Sequence, residues 1–186
     1  METIEQQNPK NRNNKHTDDL VDHYWGSITY VSSLIKASEI KAGLILSFYG
    51  ILLNFSYKYI EMILASATKN IMLYILLAAW FLSTMTSIYF SVRCFMPRIE
   101  AKYEKNIFFF GDVISKFGSI KDFSKTFYNI SVDGDQLFEQ LGQQIFIISK
   151  IASIKFKYVN KSLRFLAIGL FLLLILVAYN LIITHL

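Results

Sequence analysis

The sequence predicts an all-α membrane protein: three transmembrane helices with a cytoplasmic helical head, the last helix a long stalk continuous with the third span. Three observations predict it. Residues 163–183 form a run in which Arg164 is the last charge and Leu, Phe, Ala, Ile and Val fill nearly every place. Residues 71–92 carry no charge across 22 positions, and residues 42–57 none across 16. A helix crosses a hydrocarbon core of roughly 30 Å with about 20 apolar residues, and a soluble core has no use for one apolar all round. The composition, 53% hydrophobic and 16% aromatic with 18% charged, agrees, because the charge is segregated from these runs.

Residues 1–19 are rich in Asn, Gln and Lys without an apolar core, so they are neither signal peptide nor anchor and are expected to be a disordered leader. From Asp18 onward, Leu20, Tyr24, Ile28, Val31 and Ile35 recur at helical spacing, which predicts a cytoplasmic amphipathic helix over 20–41 running into the first span, 42–57. That span is short, and the stem of Lys41 extends it while the ammonium reaches the headgroups. Gly43, Ser47, Gly50 and Asn54 set small and polar groups on one side of it, a face that suits either helix packing or pore lining. An external loop is expected over 58–70 and the second span over 71–95.

Ser83, Thr84, Thr86, Ser87 and Ser91 fill the inner half of that second span, before Arg93 and Pro97 mark the interface. Such hydroxyls bond their own helix carbonyls as readily as they line a water path. The pore-lining candidates are therefore Ser47, Asn54, Thr84 and Ser87. The third span, 163–183, is interrupted only by Gly169, Tyr179 and Asn180 and is expected to face lipid.

The cytoplasmic region, 96–162, reads as helical. Ser119-Ile-Lys-Asp122 and Asp133-Gly-Asp-Gln136 have the form of capping boxes, so helices should start near Ile120 and near Gly134. Apolar residues at 137, 141, 145, 148 and 152 keep helical spacing, and neither Gly nor Pro interrupts the chain between Gln143 and the third span. Between Arg98 and Arg164 stand eleven Lys or Arg against seven acids, whereas residues 58–69 hold two bases and one acid. Positive charge kept inside puts the N-terminus and the 98–164 region in the cytoplasm.

Catalytic and metal chemistry is not encoded in recognisable form. Cys94 is the only cysteine, and His16 and His23 lack a carboxylate or cysteine at ligand spacing, so no metal site is expected. No phosphate-binding glycine loop or glycine-flanked nucleophile occurs, so neither a catalytic residue nor an enzyme is expected.

Ser38-Glu-Ile-Lys-Ala42 at the first span, Pro97 followed by Asn106-Ile-Phe-Phe-Phe-Gly111, Gln143-Gln-Ile145, and Lys155-Phe-Lys-Tyr158 before the last span carry a further signal. In this order they resemble the transmembrane effectors of Pycsar antiphage systems over residues 35 to 180. The family usually has Asp and Asn where this chain has Glu39 and Tyr49. The resemblance implies a bacterial inner-membrane defence effector without a cofactor, switched by a nucleotide second messenger, a cyclic nucleotide or short oligonucleotide, from a partner cyclase or nucleotidyltransferase. It also implies depolarisation or permeabilisation of the cell's own membrane.

The candidate nucleotide contacts are Lys102, Lys105, Asn106, Lys155 and Lys157. Phe108, Phe109, Phe110, Phe123 and Phe127 are either stacking surfaces or core. Three helices do not enclose an aqueous path easily, so a homo-oligomer in the lipid bilayer is expected to form the channel or pore. The alternatives are a ligand-independent holin-like toxin and a non-conducting membrane scaffold.

Overall fold

The computed structural model describes the backbone of residues 9–67, 71–96 and 104–185, with side chains for 17–58, 71–96 and 104–182. Among the described residues five helices follow one another: α1 (Pro9–Ala67), α2 (Ile71–Phe95), α3 (Phe110–Ser115), α4 (Ile120–Val132) and α5 (Gly134–His185). No strand occurs among the described residues. Within α1, α2 and α5 lie three segments long and apolar enough to cross a membrane, Thr17–Lys58, Ile71–Phe95 and Gly134–Ile182. This is a membrane protein of the all-α class.

Helix α1 is longer at both ends than the periodicity indicates. The leader expected to be disordered over 1–19 is helical from Pro9, and helix continues to Ala67 through most of the expected 58–70 loop. Pro9 at the first helical position needs no amide partner, and once a helix is nucleated each added residue contributes a hydrogen bond at little cost. Residues 58–67 contain neither Gly nor Pro to stop it.

The chain divides into two compact units. One comprises α1 up to Leu34, α3, α4 and α5 up to Ala152. Its buried apolar residues include Ile28, Ile107, Phe109, Phe117, Leu141, Ile147 and Ile148. The phenylalanines considered for stacking are largely in contact with one another or with Trp25. Trp25 meets Phe108 edge-on at 5.7 Å, Phe108 meets Phe127 at 6.0 Å, and Phe123 touches both Phe127 and Phe117, at 5.7 and 5.2 Å. Phe110 meets Phe109 at 6.1 Å but stays 71% exposed.

Helix α4 begins as its sequence indicates. Gly118, at φ +69°, turns the chain, and the Ser119 hydroxyl accepts from the Asp122 amide at 3.2 Å while donating to the Asp122 carboxylate at 2.7 Å. The Ser119 hydroxyl first, and the Ser119 backbone N–H after it, donate to the Asp122 carboxylate and hold it below the usual carboxylate range. A lowered acid stabilises the fold above its unfolded pKa of about 3.9 and loses that contribution as pH falls through the lower folded value. Ser119→Ala should cost about 1 kcal/mol of local stability at neutral pH and return the Asp122 titration toward its ordinary position, which carboxyl NMR reads directly. Helix α5 starts equally cleanly: Asp133 accepts from the Gln136 amide and side chain at 3.2 and 2.8 Å.

The second unit contains the rest of α1 from Ile35, α2, and α5 from Ser153. Its buried positions repeat at alternating steps of three and four. On α1 they are Ser38, Ala42, Ile45 and Tyr49, on α2 Trp80, Thr84, Ser87, Ser91 and Cys94, and on α5 Lys155, Val159 and Ser162, continued by Gly169 and Leu176 at sevens. A 3.5-residue repeat keeps one seam of each helix against its neighbours, the pattern of left-handed helix bundles. The third span therefore buries one stripe and is not wholly lipid-facing. On α1 the stripe of Ser47, Gly50 and Asn54 lies outside this seam and is exposed, while Gly43 is half-buried against Phe95.

Candidate functional site

Helices α2 and α5 run in opposite directions with a fixed register. Leu73 packs on Leu176, Ser87 bonds Ser162 fourteen residues further along α2, and Cys94 meets Lys155 seven beyond that. At the centre the Ser87 hydroxyl donates to the Ser162 carbonyl at 2.8 Å, and the Ser162 hydroxyl donates to the Ser87 carbonyl at 2.8 Å. Ser91 lies 2.7 Å from the Ser162 hydroxyl, and its proton completes the set. Ser83 donates to the Phe165 carbonyl at 2.9 Å. Small residues bring the backbones close enough for these bonds, and the carbonyls accept with a lone pair that the helix leaves unused. Gly169 belongs to the same close approach, since a Cβ there would sit 3.6 Å from the Ser83 hydroxyl.

At the end of α2 the polar contacts become ionic. Lys155 is 5% exposed, and its ammonium donates to the Glu39 carboxylate and to the Cys94 carbonyl, both at 2.7 Å. That carbonyl belongs to the last turn of α2, where carbonyls lie beyond the helix's own amides and the helix dipole favours a cation. The Cys94 thiol lies 3.7 Å from the carbonyls of Ser38 and Lys155. One turn along, the Lys41 ammonium stands over the Phe156 ring at 5.7 Å. Residues from α1, α2 and α5 thus share one polar centre.

The other unit has a polar knot of its own. Asn106 is fully buried: its amide nitrogen donates to the Gln140 carbonyl at 2.7 Å, and its side-chain oxygen accepts from the Phe108 backbone at 2.9 Å. Its backbone N–H reaches Asp112 at 3.0 Å, and Ile107 N–H reaches the Gln140 side chain at 3.0 Å. Asp112 is itself paired with Lys116 at 2.9 Å. Nearby, Glu104, Gly142, Gln143, Phe146 and Ile147 line a cavity of about 380 Å³. Among the described residues its lining carries one carboxylate, that of Glu104.

The residues singled out from the sequence fall in different places. Ser47 and Asn54 are exposed on α1, whereas Thr84 and Ser87 are buried inside the bundle. Lys105 stands 3.8 Å over the Phe117 ring and Asn106 is spent on the knot, both in the first unit. Lys155, in the second, is spent on Glu39, and Lys157 is exposed. Lys102 lies outside the described residues. Among the described residues no three His, Cys, Asp or Glu side chains gather to hold a metal. Glu39, Ser162 and Gln140 were not candidates, although the three-and-four spacing of Lys155, Val159 and Ser162 is a signal that places Ser162 on the buried seam.

The model of the Pycsar effector protein domain matches residues 23–182. The chain belongs to the Pycsar transmembrane effector family. A Pycsar effector protein of Propioniciclava tarda is 23% identical over 158 residues, covering 83% of this chain and 77% of that protein. No solved structure matches the chain. Membership of the Pycsar family makes this an antiphage-defence protein of the membrane. It also gives the quoted patches a spatial sense: Glu39 of the first meets Lys155 of the last, and Asn106 bonds Gln140, whose side chain lies 3.4 Å from Gln143.

Proposed function

We propose that the protein is a homo-oligomeric channel or pore of the bacterial inner membrane, gated by a nucleotide second messenger from a partner cyclase or nucleotidyltransferase, which arrests the infected cell. The observation that carries the reading is the outward stripe of Ser47, Gly50 and Asn54. The opposite side of α1 is already used inside the chain by Ala42, Ile45 and Tyr49, so an amide in a lipid-crossing helix is left facing outward. An amide in hydrocarbon needs a partner, and a ring of copies supplies one, either as neighbouring helix or as enclosed water. The basic excess of residues 98–164 supports a cytoplasmic N-terminus, on the side where a messenger is made. Lys105 and Lys157 remain the described candidates for its phosphate. The action is physical, without catalysis.

Conductance of the purified protein in planar bilayers, with and without cyclic nucleotides, tests the reading. Nucleotide should raise the current, and current independent of nucleotide would favour an autonomous toxin. Asn54→Leu replaces a hydratable amide with a dewetting aliphatic group, so current should fall several-fold at unchanged oligomer size. A change of size before any change of current would assign Asn54 to helix packing.

A further inference from the structure

The three spans are not joined alike. Helices α2 and α5 share the hydroxyl ladder of Ser83, Ser87, Ser91 and Ser162, spread over more than two turns. Among the described residues the ion pair that ties α1 to this pair lies at the Lys155 centre, with Ser38 and Lys41 on either side of Glu39, and further along the buried Tyr49 hydroxyl faces Ser87. The rest of this contact is apolar, made by Ala42, Ile45 and the Tyr49 ring. In lipid an apolar contact is exchanged for lipid contact at little cost, because acyl chains are as apolar as side chains. A buried ammonium has no such exchange. We propose that the contact of Lys155 with Glu39 and the Cys94 carbonyl is a catch that holds α1 against a fixed α2–α5 pair, and that its release is the conformational step of the effector.

The placement of the pair favours a catch over a permanent staple. Lys155 is sealed, but the Glu39 side chain is 37% exposed, so one partner of the ion pair stays open to water and to competing charge. Withdrawing that carboxylate leaves a buried cation, which drives the helices apart until water reaches it. The two residues stand 116 positions apart in the chain and on two different spans, so breaking their bond changes how those spans meet and not the helices themselves.

The single thiol reports on the catch, because Cys94 is fully buried directly beneath it. Purified protein in lipid nanodiscs is treated with methyl methanethiosulfonate, and labelling of Cys94 is followed by mass spectrometry. Glu39→Gln and Lys155→Met should each label at least tenfold faster than the native chain, while Glu39→Asp keeps the native rate. Loss of the lysine cation by itself slows a thiol's reaction and loss of the carboxylate speeds it, so acceleration in both reads exposure. Native rates in both variants would overturn the catch.

A conductance measurement on the same preparations rests on the channel reading above. Nucleotide-independent current in Glu39→Gln would support both readings. Accelerated labelling with no current in any preparation would support the catch and overturn the channel.

Discussion

Asn106→Ala is expected to destabilise the segment around α3 by about 2–4 kcal/mol, one of the two largest effects foreseen for a single substitution. The bond to the Gln140 carbonyl disappears, at a net value of about 1 kcal/mol, and the Phe108 N–H is left without its acceptor in a partly buried place, at about 1–3 kcal/mol. The Gln140 carbonyl suffers less, because it belongs to α5 and has its own helical amide. A loss of 2 kcal/mol raises the open population about thirtyfold, and tryptic cleavage at Lys105, Lys116, Lys121 and Lys125 should rise in proportion. The spans should be untouched, so insertion and the Cys94 labelling rate stay native. Unchanged proteolysis would mean that water replaces the amide in the knot.

Ser162→Val should act on the other unit with similar force. The hydroxyl joins Ser87 and Ser91 at once, and interhelical hydrogen bonds in a membrane are worth about 0.6–1.7 kcal/mol each. Valine also adds a branch at a position with no exposed surface, where overpacking costs typically about 1–3 kcal/mol. The total is about 3–5 kcal/mol, against about 2 for Ser162→Ala, which leaves the packing alone. Reversible unfolding in mixed micelles measures both. Equal losses for Ala and Val would show that the helices move apart freely there, and that close approach of the backbones contributes little.

The architecture was legible because its signals are one-dimensional. Charge-free runs announce spans by length alone, and Ser119 and Asp133 announce helix starts by a spacing of three. The limits of α1 were not legible, because a nucleated helix extends through indifferent residues until something stops it. The site was harder to read for a different reason. A Ser on a lipid-crossing helix bonds its own carbonyl, a neighbouring helix or water with nearly equal ease, so Ser47 and Ser87 look alike in sequence. What separates them is phase: Ser87 falls on the three-and-four seam with Thr84 and Ser91, and Ser47 falls two residues past Ile45 on its own helix. The ion pair of Lys155 was not legible because bases before a span, as at 150, 155, 157 and 161, suggest solvent and headgroups, and its partner stands 116 positions away.

The matched register of α2 and α5 also restricts how this chain can change in length. Each contact from Leu73 to Cys94 is answered in reverse from Leu176 to Lys155, so inserting one residue within either stretch rotates everything beyond it by about 100° and carries serines or the lysine into lipid. Only insertions or deletions of seven, made in both helices, preserve the phase. Across the descendants of a common ancestor, gaps should therefore be purged from 73–94 and 155–176 and collect in the connection between α2 and α3 and at the two ends, whatever happens to the identity of the residues between.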